Sequence, residues 1–306
     1  MDMKTLLDRY CVEGVTVALG CVLAAWRWWS EPRAAGVIML AVVAGVLRAW
    51  SGLSGLGNMV WAGAAGQDMT WRTYRDPELA VTKDGTRDKD VEFLISQMRR
   101  VEERVEAFAG ESGMERISLS VAGGRIGTWN AASSVRFGRR GHVTLGHIWL
   151  WPERNAVMPY TLEHELAHLR RHDSHTRTAA AIVGVVLMVL CTGLLPLERA
   201  AAALAGLGVL WVAYLWWSEL ACDRAAARRC GREMAAASWQ QELGDARLVP
   251  PVRRLFFGFW ALRSHPPLRL RLWLSHLAPP AGSQPCPVPD QGNPALRTPT
   301  PRRKCG

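Results

Sequence analysis

Four long apolar stretches constrain what this chain can fold into more strongly than any other feature of its sequence. Arg27 and Arg48 are the only charged residues within them. The stretches cover residues 14–29, 34–66, 178–197 and 200–218. A helix of about 17–25 residues crosses the hydrocarbon of a bilayer, and the first stretch is close to the lower limit. We predict a mainly α integral membrane protein with two transmembrane hairpins, about four spans. The alternative for the first pair is a buried hydrophobic hairpin in a soluble protein.

Arginine-rich segments between the apolar stretches indicate an orientation. The net charge is +10 although the mean hydropathy is 0.00, so basic and apolar residues are segregated. We call the side on which the second hairpin starts and ends its near side. The arginines on this side are Arg170, Arg171, Arg177, Arg224, Arg228 and Arg229. The opposite side has only the short connection between the two apolar stretches, residues 196–199. By the positive-inside rule the near side is cytosolic, and the basic balance favours a lipid bilayer over nucleic acid as partner. The first hairpin agrees less clearly with this orientation, because Arg27 and Arg33 lie in its short outer loop.

The cysteines, the N-terminal segment and the absence of nucleotide-binding motifs narrow the class of protein further. The 7 cysteines are scattered and contain no Cys-x-x-Cys pair, which is typical of reduced thiols. Asp2, Asp8 and Glu13 interrupt the N-terminal segment, so we predict a retained anchor and not a cleaved signal peptide. The sequence shows no glycine-rich phosphate loop and no nucleic-acid module. Nucleotide hydrolysis and specific DNA binding therefore have no support.

The polar segment 67–115 contains an amphipathic helix. Its apolar residues recur at alternating steps of three and four: Val91, Leu94, Met98, Val101, Val105 and Phe108. This period places them on one face of a helix. We predict that the face packs on the protein's own folded domain, with docking or dimerisation as the alternative.

Three short strands are predicted after this helix. Apolar and polar residues alternate at 117–121, 135–137 and 143–145. Gly123-Gly124 and the segment 138–141 separate them as turns. One edge of such a sheet could take an extended peptide, although ordinary core packing is the default reading of a strand pattern.

The motif with the clearest chemistry is His164-Glu-Leu-Ala-His168. Its two histidines are four residues apart and lie on one face of a helix, with Glu165 between them in sequence. Two neutral imidazoles so placed can bind Zn²⁺ at about 2.0–2.1 Å and leave the carboxylate free to take a proton from a zinc-activated water. The helix also has an apolar side, formed by Leu162, Leu166, Ala167 and Leu169. That side favours a partly buried helix over an exposed, charged one.

A third ligand must come from elsewhere in the chain. The metzincin pattern is excluded because Arg171 and Ser174 stand where it needs glycine and histidine. Glu219 and Asp223, just after the fourth apolar stretch, share a helical face. A hairpin that leaves and returns would bring Glu219 to the two histidines, and Asp223 could then accept the second ring N–H of one of them. The alternative is that both are interfacial charges at the end of a transmembrane helix.

Taken in order, these motifs resemble a known family. The chain has His164-Glu-Leu-Ala-His168 with Asp173, a membrane hairpin, Glu219-Leu-Ala-Cys-Asp223, and finally Ser264-His-Pro-Pro-Leu-Arg-Leu-Arg271. This set is similar to the HtpX and CaaX-prenyl-protease type of membrane zinc metallopeptidase, a gluzincin, over most of residues 115–275. Membrane receptor peptidases of the β-lactam-sensing type carry similar zinc motifs and imply the same metal site. The two closely spaced spans and the late His-Pro motif favour the first family.

The resemblance implies a zincin-like mixed α/β catalytic domain that holds one Zn²⁺ per chain. His164, His168 and Glu219 would be the zinc ligands. Glu165 would be the general base, and Asp223 would support a ligand histidine from behind. Co²⁺ or Mn²⁺ would fit the same ligands.

The resemblance also implies residues around the substrate. His265 and Arg271 match the late motif near the cleft, where they would steady the transition-state oxyanion. Asn130 and Ala131 match a substrate-binding motif. The chain departs from the family at Arg269 and Leu270, where acidic residues are usual, and at Leu220 or Cys222, where an aromatic is usual. These departures bear on substrate preference more than on metal binding.

Six segments follow from these observations. They are an N-terminal transmembrane hairpin (1–66), an amphipathic helical linker (67–115), a first catalytic half (116–177), a second transmembrane hairpin (178–218), a second catalytic half (219–278) and a disordered proline-rich tail (279–306).

The sequence therefore predicts a multi-pass zinc endopeptidase of a membrane, implied by the resemblance to be the bacterial inner membrane, with its catalytic domain in the cytosol. Expected substrates are peptides or membrane proteins, in quality control or processing. The alternatives are a β-lactam-sensor-type regulatory peptidase and a non-catalytic, zinc-stabilised membrane scaffold.

Overall fold

The computed structural model describes residues 32–62, 71, 89–122, 132–248, 250–252, 258 and 261–277. Its helices are α1 (Pro32–Ala62), α2 (Lys89–Glu111), α3 (Pro152–Asn155), α4 (Met158–Arg170), α5 (Asp173–Leu194), α6 (Leu197–Cys230), α7 (Arg232–Leu248) and α8 (Leu268–His276). Its strands are β1 (Arg116–Ala122), β2 (Ala132–Phe137) and β3 (Arg140–Gly146), and a 3-10 turn (His147–Leu150) follows β3. This part of the chain is mostly helical with a small mixed sheet, as predicted. The predicted span at 14–29, the Asn130-Ala131 motif and the tail at 279–306 lie outside the described residues.

Helices α1, α5 and α6 are long and apolar enough to cross a membrane. Their apolar segments lie within Ala34–Trp61, Asp173–Leu194 and Leu197–Cys230. The protein buries only 17%, 6% and 11% of the most apolar window of each, so most of this apolar surface requires another cover. The predictions of apolar helices at 34–66, 178–197 and 200–218 are confirmed as far as the structure describes these residues, which for the first is to Ala62.

The run from Ser51 to Gly57, with three glycines and two serines, predicts an end of the second apolar helix, but this prediction is wrong because α1 continues to Ala62. Gly52 does not break the helix but faces α5, where a Cβ atom would come within 2.7 Å of Thr178 Cγ2. Ser54 donates its hydroxyl to a carbonyl one turn back, at 2.6 Å, and so keeps its polar group satisfied within the helix. Small residues in apolar helices commonly serve close packing, and here they were misread as a turn.

Helices α5 and α6 form the predicted hairpin, which turns at Leu195 and Pro196. Only two residues separate the end of α4 from the start of α5, and α6 continues through Ser218 to Cys230 without a break. The apolar segment of α6 and the predicted site residues Glu219 and Asp223 therefore belong to one continuous helix. The two carboxylates consequently have a fixed position along the axis relative to this apolar segment.

The three predicted strands form one sheet in the order β1-β3-β2. β1 pairs with β3 in parallel, and β2 pairs with β3 antiparallel, so β2 is an edge strand. The turn between β2 and β3 contains Gly138 in the left-handed region (φ 63°). Gly141 is not part of that turn but lies inside β3, where a Cβ atom would come within 2.8 Å of Met114 Cε.

The amphipathic helix α2 packs on this sheet and on α4, which confirms that its apolar face belongs to the protein's own core. The shared core includes Met98, Val101, Val105, Phe108, Leu119, Val143, Leu145, Leu162, Leu166 and Leu169. A largely buried ion pair adds to this packing, because Arg104 Nη2 of α2 lies 3.2 Å from Glu163 Oε2 of α4. The helix carrying the motif is thus held rigidly from its apolar side.

A second, smaller core joins α4 to the helices that follow the hairpin. Its buried members are Tyr160, Ala226, Ala227, Cys230, Ala235 and Trp239, and Leu268 and Leu272 of α8 pack against them. The hydroxyl of Tyr160 accepts a hydrogen bond from Trp239 Nε1 at 3.1 Å. This cluster fixes α6, α7 and α8 relative to α4, so residues far apart in sequence reach one site.

Close packing of α1 on α5 gives a first prediction. A Cβ atom on Gly193 would come within 2.4 Å of Val37 Cγ1, whereas one on Gly184 of the same helix meets nothing within 4 Å. We expect Gly193→Ala to lower the free energy of unfolding by about 1–3 kcal/mol through overpacking. Gly184→Ala, the matched control, should raise it by about 0.5–1 kcal/mol, since glycine is unfavourable within a helix. Thermal unfolding in detergent measures both, and equal shifts would contradict the α1–α5 contact.

Candidate metal centre

Two histidines of α4 and one glutamate of α6 bring three potential metal ligands together. His164, His168 and Glu219 are buried, and each offers an atom within 4.8 Å of the others. Each histidine Nε2 lies 3.5 Å from a different oxygen of Glu219, and the two Nε2 atoms are 3.2 Å apart. Such a buried group could hold one metal ion. The structure therefore brings together the three residues that the sequence predicted as ligands.

The hairpin explains how these residues meet. Helix α5 leaves directly from the end of α4, and α6 returns and packs along α4. Because the motif helix presents both imidazoles on one face, a single carboxylate directly after the apolar segment of α6 reaches them both. The hairpin therefore places Glu219 beside the two histidines, where the sequence predicted it.

Asp173 supports His168 from behind, a role that the sequence analysis did not assign. Its Oδ2 atom lies 2.7 Å from His168 Nδ1 and accepts a hydrogen bond from Ser218 at 3.0 Å. His172 stands between α4 and α5 with φ at 57°, and this left-handed residue turns the chain so that Asp173 faces back toward the motif. The carboxylate fixes the imidazole so that its Nε2 atom is left for Glu219 and a metal.

Asp223 takes the same position behind His164, as predicted. His164 Nδ1 lies 2.9 Å from Asp223 Oδ1. Arg271 of α8 binds this carboxylate with two donors, Nη2 to Oδ1 at 2.6 Å and Nε to Oδ2 at 2.7 Å. The guanidinium also stacks over Trp239, 3.8 Å from the ring centre. Each of the two histidines therefore has a carboxylate behind it.

The contacts of Arg271 favour a supporting role over the predicted one at the oxyanion. Both of its short contacts are made to Asp223, and its distance to Glu219 Oε2 is longer, 3.6 Å. A guanidinium committed to a buried carboxylate in a bidentate pair is held in place and is not free to follow a substrate. Arg271 is therefore a support for Asp223.

The surroundings of His164 alter its protonation. Burial disfavours the charged imidazole, but its contacts with Asp223 and Glu219 outweigh burial and raise its pKa to about 10. A metal ion binds the neutral ring, so metal binding at this site must displace a proton.

Arg177 is a second residue that the sequence analysis missed. Its Nη2 atom donates to Glu219 Oε1 at 2.6 Å and to Ser218 Oγ at 3.3 Å, while its buried Nε has no hydrogen-bond partner within the described part of the chain. The only sequence signal was its place among the arginines flanking the hairpin. Arg177 compensates the buried charge of Glu219 and fixes the rotamer of this carboxylate.

Glu165 is not a member of the three-residue ligand group, and its side chain is held by the sheet. Ser134 Oγ of the edge strand β2 lies 2.8 Å from Glu165 Oε2 and 2.9 Å from the Glu165 carbonyl. This contact was also missed, because it joins residues 31 positions apart that only the fold brings together. The strand edge and the motif helix are thus locked to each other through the predicted general base.

A cavity of about 1210 Å³ opens beside the centre. His164, His168, Glu165 and Glu219 line it. The rest of its wall comes from several elements, including β2, Arg48 and Leu56 of α1, Trp211 of α6, Trp239 of α7 and the segment around His265. The cavity therefore connects the ligand cluster with the apolar helices.

His265 lines the same cavity. Its Nε2 atom lies 3.8 Å from Glu219 Oε2, and its side chain is about half exposed, 53%. Partial burial of the ring lowers the pKa of His265, so the neutral imidazole is favoured. Arg271 of the late motif lines the cavity as well, but its two short contacts are made to the Asp223 carboxylate.

Cys222 adds a second group of potential ligands. Its Sγ atom lies 3.2 Å from His168 Nδ1 and 3.4 Å from Asp173 Oδ2. His168, Asp173 and Cys222 could also hold an ion, but only through the ring nitrogen that Asp173 already engages. The group at His164, His168 and Glu219 leaves the supporting contacts intact.

Comparison of the chain with protein-family models, with curated proteins and with solved structures finds no match in any of the three.

The supporting carboxylates give a second prediction. Asp173→Asn and Asp223→Asn each remove the charge behind one ligand histidine, and we expect each to weaken metal binding by about 10–100-fold. The affinity is measured by competition with a chelator on the full chain in detergent. Glu106→Gln, an exposed glutamate of α2, serves as the control and should leave the affinity unchanged. Unchanged affinity in both aspartate variants would show that the ion, if one binds, sits elsewhere.

Proposed function

We propose that this protein is a membrane-bound zinc endopeptidase. One observation carries the proposal: His164, His168 and Glu219 form a buried ligand group, and the carboxylate of Glu165 lies next to it on the wall of a large cavity. Two imidazoles and a carboxylate, with a further acid beside them, are the donor set and the base of zinc hydrolases. The resemblance of the motif order to the HtpX and CaaX-prenyl-protease type supports the same conclusion.

His164, His168 and Glu219 would hold the metal. The ligand chemistry fits zinc best, because neutral imidazole and carboxylate are its preferred nitrogen and oxygen donors, and no thiol belongs to this group. When bound, zinc supplies a Lewis acid that makes water nucleophilic and polarises a carbonyl group. Asp173, Asp223 and Arg177 would keep the three ligands in place.

Glu165 would act as the general base. It takes a proton from the attacking water and returns it to the amine that leaves when the peptide bond breaks. Ser134 holds the carboxylate through a contact of 2.8 Å to Oε2. His265 faces the cavity with an N–H available in its neutral form, so it would donate to the oxyanion that develops on the substrate carbonyl.

The edge strand β2 supports a peptide as substrate. Its residues 132–135 line the cavity, and its outer edge is not paired with another strand among the described residues. An extended peptide can pair with such an edge and pass the scissile bond along the motif helix.

The membrane helices support substrates that are themselves membrane proteins or lie close to the bilayer. Leu56 of α1, Thr178 of α5 and Trp211 of α6 all line the cavity. A segment leaving the bilayer could therefore enter from between these helices. Cleavage of soluble unfolded proteins only, and never of membrane proteins, would contradict this substrate class.

The proposed role of Glu165 gives a third prediction. Glu165→Gln keeps the size of the side chain but removes the proton acceptor, so we expect peptide cleavage to fall by about 10²–10⁴-fold. Metal content should stay at the wild-type value, because Glu165 is not in the ligand group. Cleavage of an unfolded membrane-protein substrate is measured beside metal content in the same samples. If the variant retains metal and full cellular function, the protein is instead a non-catalytic, zinc-stabilised scaffold.

The third ligand gives a fourth prediction. Glu219→Ala should lose both the bound metal, about one zinc per chain in the wild type, and all cleavage. Glu198→Ala removes an exposed glutamate near the start of the same helix and is the matched control, expected to retain both. Metal analysis and cleavage assays on detergent-purified protein test this. A Glu219→Ala protein that keeps zinc and activity would mean that Glu219 is only a charge at the membrane edge.

A further inference from the structure

A second cavity, of about 590 Å³, lies between α6 and α8. None of the three ligand residues and no part of β2 line it. Its wall includes Asp223 and Arg271, which pair with each other and hold His164 in place. The proposed peptidase mechanism makes no use of this cavity.

Basic and apolar side chains stand together on its wall. Arg224 and Arg228 are one helical turn apart on the same face of α6, both are exposed, and neither forms an ion pair with any residue that the structure describes. Trp217 and Leu277, 60% and 64% exposed, also line the cavity. Two unpaired cations beside exposed apolar surface match an amphiphile with an anionic head.

The position along α6 matches the edge of a bilayer. The uncharged segment of this helix ends at Ser218, directly after Trp217. Arg224 and Arg228 follow at about 9 and 15 Å along the axis, at about 1.5 Å per residue. Side chains of a helix lean toward its N-terminus, so both guanidinium groups are directed back toward the apolar segment and the headgroup layer.

We propose that this cavity binds the phosphate headgroup of an anionic phospholipid. Arg224 and Arg228 bind the phosphate, while the acyl chains run along Trp217 and Leu277 toward the apolar part of α6. A free phosphate would engage the arginines but would have no use for the apolar wall, which is why a lipid is the occupant favoured. The inference rests on the proposed membrane insertion of α6 but not on peptidase activity.

A bound lipid would also act on the metal centre. The cavity is bounded by Asp223 on α6 and Arg271 on α8, so a headgroup between these helices would hold them together and keep Asp223 behind His164. The anionic lipid would thereby increase the activity of the proposed peptidase.

Lipid binding is tested by native mass spectrometry of the full chain released from detergent, titrated with phosphatidylglycerol or phosphatidylcholine. The test variant is Arg224→Gln/Arg228→Gln. Arg99→Gln/Arg100→Gln, on the exposed face of α2, loses the same charge and is the control. We expect wild type and control to prefer phosphatidylglycerol, and the test variant to bind it about 30-fold more weakly, as the loss of two basic residues near an anionic surface predicts.

Three results would overturn the proposal: equal affinity of the test variant and the control, equal binding of the two lipids by wild type, or displacement of phosphatidylglycerol by inorganic phosphate alone. Cleavage is measured separately, in vesicles with and without phosphatidylglycerol. The lipid is expected to stimulate wild type and control and not the test variant. Selective lipid binding without any cleavage would contradict the peptidase and leave the lipid site supported, whereas cleavage without selective binding would do the reverse.

Discussion

Two buried carboxylates at the ends of one hairpin hold the two histidines on which the candidate centre depends. Asp173 begins α5 and contacts His168, and Asp223 lies near the end of α6 and contacts His164. The hairpin therefore clamps α4 at two points a helical turn apart. A buried charge without a partner costs several kcal/mol, so these contacts strongly favour one relative position of the three helices.

Two arginines lie at the centre because its buried carboxylates need positively charged partners. Arg271 pairs with Asp223, and Arg177 pairs with Glu219, both at 2.6 Å. Each arginine comes from a different helix, α8 and α5, so neutralising the carboxylates also joins these helices to the site. Breaking either pair would leave a buried carboxylate uncompensated, which is more damaging than replacing the whole pair with apolar residues.

Much of this arrangement could be predicted from the sequence, because it depends on the spacing of residues along a helix or strand or on the topology of the chain. The helical spacing of His164 and His168 places both on one face, and a hairpin that returns to its starting side brings Glu219 to them. The strands and the amphipathic helix α2 could also be predicted, from the spacing of their apolar residues. Each of these inferences needs only the sequence pattern and the direction of the chain.

The features that were missed depend on contacts between distant elements. Ser134 meets Glu165 only because β2 is the sheet edge next to α4, and Arg271 meets Asp223 only because α8 packs on α7 and α6. Nothing in the local sequence of either residue indicates its partner. The end of α1 was misplaced for a related reason, since glycine marks a turn in water but a close helix contact in an apolar environment, and Gly52 faces Thr178.

Helix α6 ties the apolar part of the molecule to its candidate chemistry. Within one unbroken helix it contains an apolar segment, the third potential ligand Glu219, the support Asp223 and the basic pair Arg224 and Arg228. A straight helix transmits displacement along its axis, so a shift of the apolar segment relative to a bilayer would move Glu219 and Asp223 together against α4. The cluster tolerates little of this movement, because its donor atoms lie within 4.8 Å of one another. The proposed membrane insertion and the proposed metal binding are therefore expected to be coupled, and the proposed lipid at the end of α6 would stabilise the centre without touching it.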